Sequence, residues 1–268
     1  MSLLLLKRFS IRSYDHILDP SAELSTDRLE ILQDDLKRLL RAEPVQYVLG
    51  ECEFCSRSFK VSPQVLIPRS ETEILVNSAL ELLREKGLSS PRVLDLCTGS
   101  GCIAWSIAQD YPGARVVATD ISSGALDLAR SQFAESSIPP SCHAPEFLLA
   151  DLLSPPPEVL GTDAEKFDLI VSNPPYIMPS EKAQMHSNVL DYEPGLALFA
   201  PEDDPVLFYR AIDRWAAALL KKEGAAIVEI NSLIPEATIG AYSHFRSARI
   251  IDDLSSRPRF ILLSELDS

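Results

Sequence analysis

An apolar run, Val93-Leu94-Asp95-Leu96, passes through Cys97-Thr98 into Gly99-Ser100-Gly101 and directly into a second apolar stretch, Cys102-Ile103-Ala104. Glycines at such a turn let the backbone approach a ligand where a side chain would block it. A strand, a glycine turn and a helix in that order belong to sheets whose parallel strands deliver their carboxyl ends to one edge, where ligands bind. The remainder of the chain agrees. From Ser70 onward strand and helix signals alternate, which predicts an α/β fold with a doubly wound, mostly parallel sheet. Strands are expected at 92–96, 115–119, 147–150, 167–172 and 225–230, with an antiparallel closing pair near 250–254 and 259–263, seven strands in all. Pro155-Pro156-Pro157 makes the connection before the fourth of these a loop or only a poor helix.

Ahead of the sheet, Leu29, Leu32, Leu36, Leu39 and Leu40 recur at helical steps behind the capping candidates Ser25-Thr26-Asp27. Residues 45–50 and 58–61 read as two strands of a hairpin, ended by Pro63 and Pro68. The boundary falls near residue 65, giving a small N-terminal helical domain with a β-hairpin over 1–65 and the sheet domain over 66–268. A chain of 268 residues, 46% hydrophobic, has room for both.

The formal charge of -14 repels phosphate backbones, so stable nucleic-acid binding is not expected and a protein partner fits better. The five cysteines, Cys52, Cys55, Cys97, Cys102 and Cys142, lack the spacing of a disulfide framework and suit a reducing compartment. Cys52 and Cys55 fall in a strand-rich run, where residues three apart face opposite sides, which argues against a metal site. Leu3 to Leu6 is too short for a signal segment, and Lys7 and Arg8 follow it instead of preceding it. No stretch reaches membrane-spanning length. The cytoplasm is the expected location, with a mitochondrial one left open because Lys7, Arg8 and Arg12 precede the first acid.

The glycine turn is no dinucleotide loop, since Ala104 stands at the third glycine position and Asp95 precedes the turn. The absence of Gly-Lys-Ser/Thr excludes a triphosphate loop. The ligand implied has an uncharged approach to the turn and a cationic or polar amino-acid end, as S-adenosylmethionine has, and would lie against Cys97, Thr98, Gly99, Ser100 and Gly101. Asp120 ends the second strand, where a carboxylate accepts from both ribose hydroxyls. Asp151 ends the third and, with Leu152, would border adenine. The plainer alternative makes Asp120 and Asp151 helix N-caps; acids at three successive strand ends, Asp95 included, favour a nucleoside pocket.

The fourth strand empties into Asn173-Pro174-Pro175-Tyr176. Consecutive prolines fix two φ angles and remove two donors, so nearby carbonyls stand as preset acceptors. The Asn173 side-chain oxygen and the Pro174 carbonyl then suit the two hydrogens of one planar NH₂, with Tyr176 over its face. Such a nitrogen is a poor nucleophile, and two acceptors aimed at its hydrogens help as positive charge develops. No general base is required, and His16, His143, His186 and His244 are scattered. A bare turn after a strand is the alternative.

These features resemble the HemK/PrmC-type release-factor glutamine N5-methyltransferases over nearly the whole chain. Asn173 to Tyr176 is shared with DNA and RNA amino-methyltransferases. More specific are Glu43-Pro44-Val45-Gln46-Tyr47-Val48-Leu49-Gly50, Leu66-Ile67-Pro68-Arg69-Ser70-Glu71-Thr72-Glu73 and Tyr192-Glu193-Pro194-Gly195-Leu196-Ala197-Leu198. The resemblance implies a Rossmann-like class I methyltransferase sheet and S-adenosylmethionine as cofactor, with S-adenosylhomocysteine as product and no metal. It implies cofactor contacts at Thr98, Gly99, Gly101, Asp120 and Leu152, and a substrate glutamine held by Asn173 to Tyr176. It also implies a release factor as partner, gripped by the N-terminal domain near its Gly-Gly-Gln tripeptide. Cys97 stands where the family usually has glycine, Ser70 replaces the usual proline, and the N-terminal helical part is shorter than usual. An adenine amino-methyltransferase and a catalytically silent binding subunit on the same fold are the competing readings.

Overall fold

The computed structural model describes residues 2–12, 14–19, 23–160 and 166–267; Met1 of the terminal reading and the side chain of His16 lie outside that description. The N-terminal part is helical, with α1 (Ser2–Phe9), α2 (Asp15–Leu18), α3 (Thr26–Leu40) and α4 (Val45–Leu49), and is followed by a hairpin of β1 (Glu51–Phe54) and β2 (Arg57–Lys60). The leucine-rich helix therefore forms where its spacing predicts, though Ser25 makes no side-chain cap.

Residues 45–50 correct the expectation of a strand. Val45, Tyr47 and Val48 carry β propensity, yet this segment is one short helix closed by Gly50 in the left-handed region at φ 79°. Its polar end is satisfied from elsewhere in the chain: Arg38 donates to the carbonyls of Tyr47 and Val48, and Arg8 donates to Val48 as well. Cations at a helix C-terminus offset its unpaired carbonyls. The hairpin accordingly begins later, with Glu51–Phe54 pairing Arg57–Lys60 across a turn at Cys55 and Ser56, whose φ values are 46° and 59°. Cys55 thus sits in the turn and not on a strand.

The sheet then builds as β3 (Arg92–Leu96), β4 (Arg115–Asp120), β5 (Glu146–Leu149), β6 (Phe167–Ser172), β7 (Leu220–Glu229), β8 (Phe245–Asp252) and β9 (Pro258–Leu266). Its order is β5-β4-β3-β6-β7-β9-β8. β3 to β7 pair in parallel, and β9 runs antiparallel between β7 and β8. The doubly wound seven-stranded expectation holds, with β7 and the closing pair longer than predicted. Helix α5 (Thr72–Glu85) precedes β3, α6 (Cys102–Asp110) follows it and α7 (Ser123–Arg130) follows β4; α8 (Ser187–Tyr192), α9 (Gly195–Leu198) and α10 (Leu207–Leu219) precede β7, and α11 (Pro235–Ile239) precedes β8. The connection after β5 holds only a 3₁₀ turn at Glu158–Leu160 among its described residues.

Alternate strand residues point to opposite faces. Val93, Val116, Leu169 and Ile227 pack under α5 and α6, while Leu94, Val117, Ile170 and Val228 pack under α10 around Trp215 and Tyr209. With both faces covered, β6 is buried along its whole length, as parallel sheets require. The hairpin seats Phe54 and Phe59 in the α5–α6 face. It is also tied there by Arg57 to Asp110 and by Gln132, which bonds both backbone atoms of Lys60.

Candidate functional site

Polar groups gather at the carboxyl ends of β3, β4, β6 and β7. After β3, Cys97 stands at φ 61°, a left-handed position that glycine occupies without strain, followed by Gly99 at 55° and Gly101 at 79°. The Thr98 amide donates to the Thr119 carbonyl at 2.9 Å, and its hydroxyl donates to Asp95 Oδ2 at 2.6 Å. Gly99 donates its amide to Asp120 Oδ2 at 2.8 Å, and Ser122 donates to Oδ1 at 2.9 Å. The cap of α7 is Ser122, which accepts from Ala125, so Asp120 is not the helix cap. Asp151 does serve as a turn acceptor, receiving the Leu153 amide at 2.9 Å.

These groups border a cavity of about 540 Å³. Cys97, Thr98, Gly99, Ser100, Asp120, Asp151, Leu152 and Asn173 all line it, as does Pro175. Gly101 does not. A Cβ there would stand 2.9 Å from Ala129 Cβ and 3.2 Å from Trp105, so this glycine serves the packing of α6 on α7 behind the wall. At Gly99, by contrast, a Cβ would meet nothing within 4 Å, and the backbone itself faces open space. Cys97 is a wall residue, its thiol pushed by burial well above its ordinary value. A nucleoside-bearing cofactor fits this cradle, whose wall carries the open Gly99 backbone and, bonded to it, the Asp120 carboxylate.

A second cavity, of about 310 Å³, adjoins the first and is lined by Pro174 and Tyr176. Asn173, at the end of β6, belongs to both. Its Nδ2 donates to Thr72 Oγ1 at 3.3 Å, and the Thr72 hydroxyl donates to Glu229 Oε2 at 2.7 Å. Tyr176 donates its hydroxyl to Glu229 Oε1 at 2.9 Å. Glu229 is buried, which raises its carboxyl against the opposing pull of those two bonds; burial beside Glu229 pushes the Tyr176 phenol well up. The corner is fastened from below as well, since Asn231 Nδ2 donates to the Tyr176 carbonyl at 3.1 Å and to Glu181 Oε1 at 2.7 Å.

Thr72 and Glu229 did not emerge as site residues from sequence reasoning. Glu229 carried the same signal as Asp120, an acid at the end of an apolar strand. Also missed was the pair Arg69–Glu193, 2.6 Å apart, in which the buried Glu193 additionally accepts the Ile67 amide at 3.1 Å. It clamps the segment before α5 to the one before α9, on the rim shared by both cavities. Among the described residues no cluster of metal-ligating side chains occurs, and no helix is long and apolar enough to cross a membrane.

The Methyltransferase small domain family matches residues 71–191, and the PrmC N-terminal domain family matches residues 1–50. The chain is 39% identical over 240 residues to the release factor glutamine methyltransferase of Bacteroides thetaiotaomicron, an alignment covering 89% of this chain and 82% of that one. The chain belongs to the release factor glutamine methyltransferase family. A Flavobacterium psychrophilum member of the family is 36% identical over 258 residues, covering 94% of this chain and 86% of its own. Among solved structures, the T. thermophilus 16S rRNA N2 G1207 methyltransferase RsmC, in complex with AdoMet and guanosine, matches with a TM-score of 0.55. It covers 80% of this chain and 49% of that one at 18% identity, a likeness of fold alone. The sheet is thus the Rossmann-like class I methyltransferase fold.

One titration follows from this geometry. Asp95 is fully buried, and burial lifts its carboxyl from 3.8 to about 7 despite the Thr98 bond. The folded chain therefore holds a proton between about pH 4 and about pH 7 that the unfolded chain has released. Stability from this group is complete below that window and is lost as pH rises through it. Asp95→Asn, which keeps an acceptor for Thr98, should flatten the decline. Urea unfolding near pH 5 and near pH 8 should differ less for the variant than for the parent; equal differences would show that Asp95 ionisation is not linked to folding.

Proposed function

We propose that this chain transfers the methyl group of S-adenosylmethionine to the side-chain amide nitrogen, N5, of the glutamine in the Gly-Gly-Gln tripeptide of a peptide chain release factor. The observation that carries this reading is Asn173 standing between two adjoining cavities with its amide nitrogen already committed to Thr72. Its oxygen is thereby left for the hydrogens of an incoming NH₂.

In this reading Gly99 and Ser100 hold the cofactor through their backbone, Asp120 accepts from its ribose hydroxyls, and Asp151 and Leu152 border its base, with Cys97 and Thr98 completing the wall. Gly101 contributes by keeping α6 seated. When bound, the cofactor would supply a methyl carbon on a sulfonium: forming the N–C bond would break the S–C bond and leave the neutral thioether S-adenosylhomocysteine, one amide proton being lost to solvent after transfer. Asn173 Oδ1 and the Pro174 carbonyl accept from the substrate NH₂, orienting its nitrogen and stabilising the charge that grows there. The Tyr176 ring walls the second cavity. No side chain is asked to act as a general base.

The division at residue 65 assigns partner recognition to the N-terminal helices and hairpin, and transfer to 66–268. The charge of -14 supports a protein acceptor over a nucleic acid. Five unpaired cysteines suit the reducing cytoplasm as the place of reaction.

Incubation with labelled cofactor and purified release factors, beside DNA and RNA, followed by mass mapping, tests the reading. Label should appear on the Gly-Gly-Gln glutamine; label on adenine would replace this function with the nucleobase one. Asn173→Ala should lower turnover by roughly a hundredfold or more, with S-adenosylhomocysteine affinity near normal. Asp120→Ala should instead weaken cofactor binding by about 1–3 kcal/mol, read by calorimetry, because the ribose hydroxyls lose their acceptor. Equal loss of binding in both variants would contradict the assignment of separate roles.

A further inference from the structure

We propose that Glu229 and Thr72 are positioning residues that set which end of the Asn173 amide faces the acceptor nitrogen, and that they do so by forcing the direction of a hydrogen-bond chain. This rests on the proposed amide-methylating function and deepens it.

An ionised carboxylate accepts and never donates. Glu229 receives hydroxyl hydrogens at both oxygens, from Thr72 at 2.7 Å and from Tyr176 at 2.9 Å. Thr72 has a single hydroxyl hydrogen, and Glu229 takes it. Toward Asn173, 3.3 Å away, Thr72 therefore offers only a lone pair. A lone pair attracts the NH₂ end of the amide and repels the carbonyl end, so Oδ1 is turned away from Thr72. The assignment follows from chemistry alone, without a choice between two ends that look alike.

The opposite amide orientation would point donors at a substrate NH₂ that is itself only a donor. One buried carboxylate thus decides whether the corner presents an acceptor or a clash. Its other charged and titratable neighbours leave that role intact. Arg259 on β9 favours the ionised form and is itself engaged by Asp253 at 3.1 Å, whereas Glu71 before α5 opposes it. Tyr209 on α10 stays a neutral phenol, its hydroxyl accepting the Asn231 amide at 3.0 Å. When Glu229 gains a proton it becomes able to donate to Thr72. Thr72 can then donate to Asn173, and the amide is free to turn over. Burial raises the Glu229 carboxyl, bringing this exchange closer to neutral pH than for an exposed glutamate.

The test has a structural arm and a kinetic arm. In ¹⁵N-labelled protein without substrate, the Asn173 side-chain NH₂ should show a nuclear Overhauser contact to the Thr72 methyl that weakens as pH falls, and in Glu229→Gln, which has no carboxyl to titrate, the contact should not change with pH. In turnover with a release factor, Thr72→Val should lose about tenfold or more in kcat and Thr72→Ser should recover most of it. Glu229→Gln, whose side chain lies outside the wall of the large cavity, should lose about three- to tenfold in kcat with S-adenosylhomocysteine affinity within about twofold of normal. The ratio of parent to Glu229→Gln activity should shrink as pH falls, because protonated Glu229 comes to resemble glutamine. A pH-independent ratio, a fully active Thr72→Val, or an Asn173 NH₂ far from Thr72 would overturn the proposal. If Thr72→Val fails to fold, Thr72→Ser and Glu229→Gln carry the same comparison. Should the parent show the Asn173–Thr72 contact yet methylate no release factor, the substrate assignment fails and the positioning chain stands.

Discussion

A parallel sheet covered on both faces leaves its strands almost no place for polar chemistry except their ends. β6 is buried from Phe167 to Ser172, and in β3 even Asp95 is fully enclosed. Polar groups are consequently displaced to one edge, where Cys97 to Ser100, Asp120 and Asn173 line common cavities and Glu229 stands buried behind Tyr176. The rest of the molecule follows from filling and roofing that edge. The helices bury the faces, Arg69 and Glu193 pin two loops across the rim, and Asn231 holds the diproline corner from beneath.

The same constraint explains what could be read from sequence. Strands buried on both sides are near-continuous apolar runs, so β3 and β6 were plain, and the acids and the asparagine closing such runs marked the edge. The helix at Val45–Leu49 was not legible, because its residues favour a strand locally and the groups that hold it, Arg8 and Arg38, come from other elements. Gly101 shows a different limit. A glycine needed for close helix packing and a glycine needed for close ligand approach leave the same letter in the sequence, and only the neighbouring Ala129 tells them apart.

Tyr176 and Thr72 mark the boundary most clearly. The sequence supports a tyrosine ring near the acceptor nitrogen; it says nothing of a hydroxyl bound to a carboxylate on β7. The link from Thr72 to Glu229 spans 157 positions, and no local pattern reports a partner so distant. Chemistry that depends on one side chain alone was accessible in advance, whereas chemistry that depends on the direction of a chain of bonds required the fold.

Gln132 joins the hairpin to the glycine turn. Its Nε2 donates to the carbonyls of Lys60 and Ser100, both at 2.9 Å, while its Oε1 accepts the Lys60 amide at 2.7 Å. One amide group is therefore shared between the hairpin and the glycine turn that lines the large cavity. Any displacement of the hairpin would stretch a bond to the very peptide that lines the large cavity, so the two segments share one mechanical fastening in a single buried glutamine.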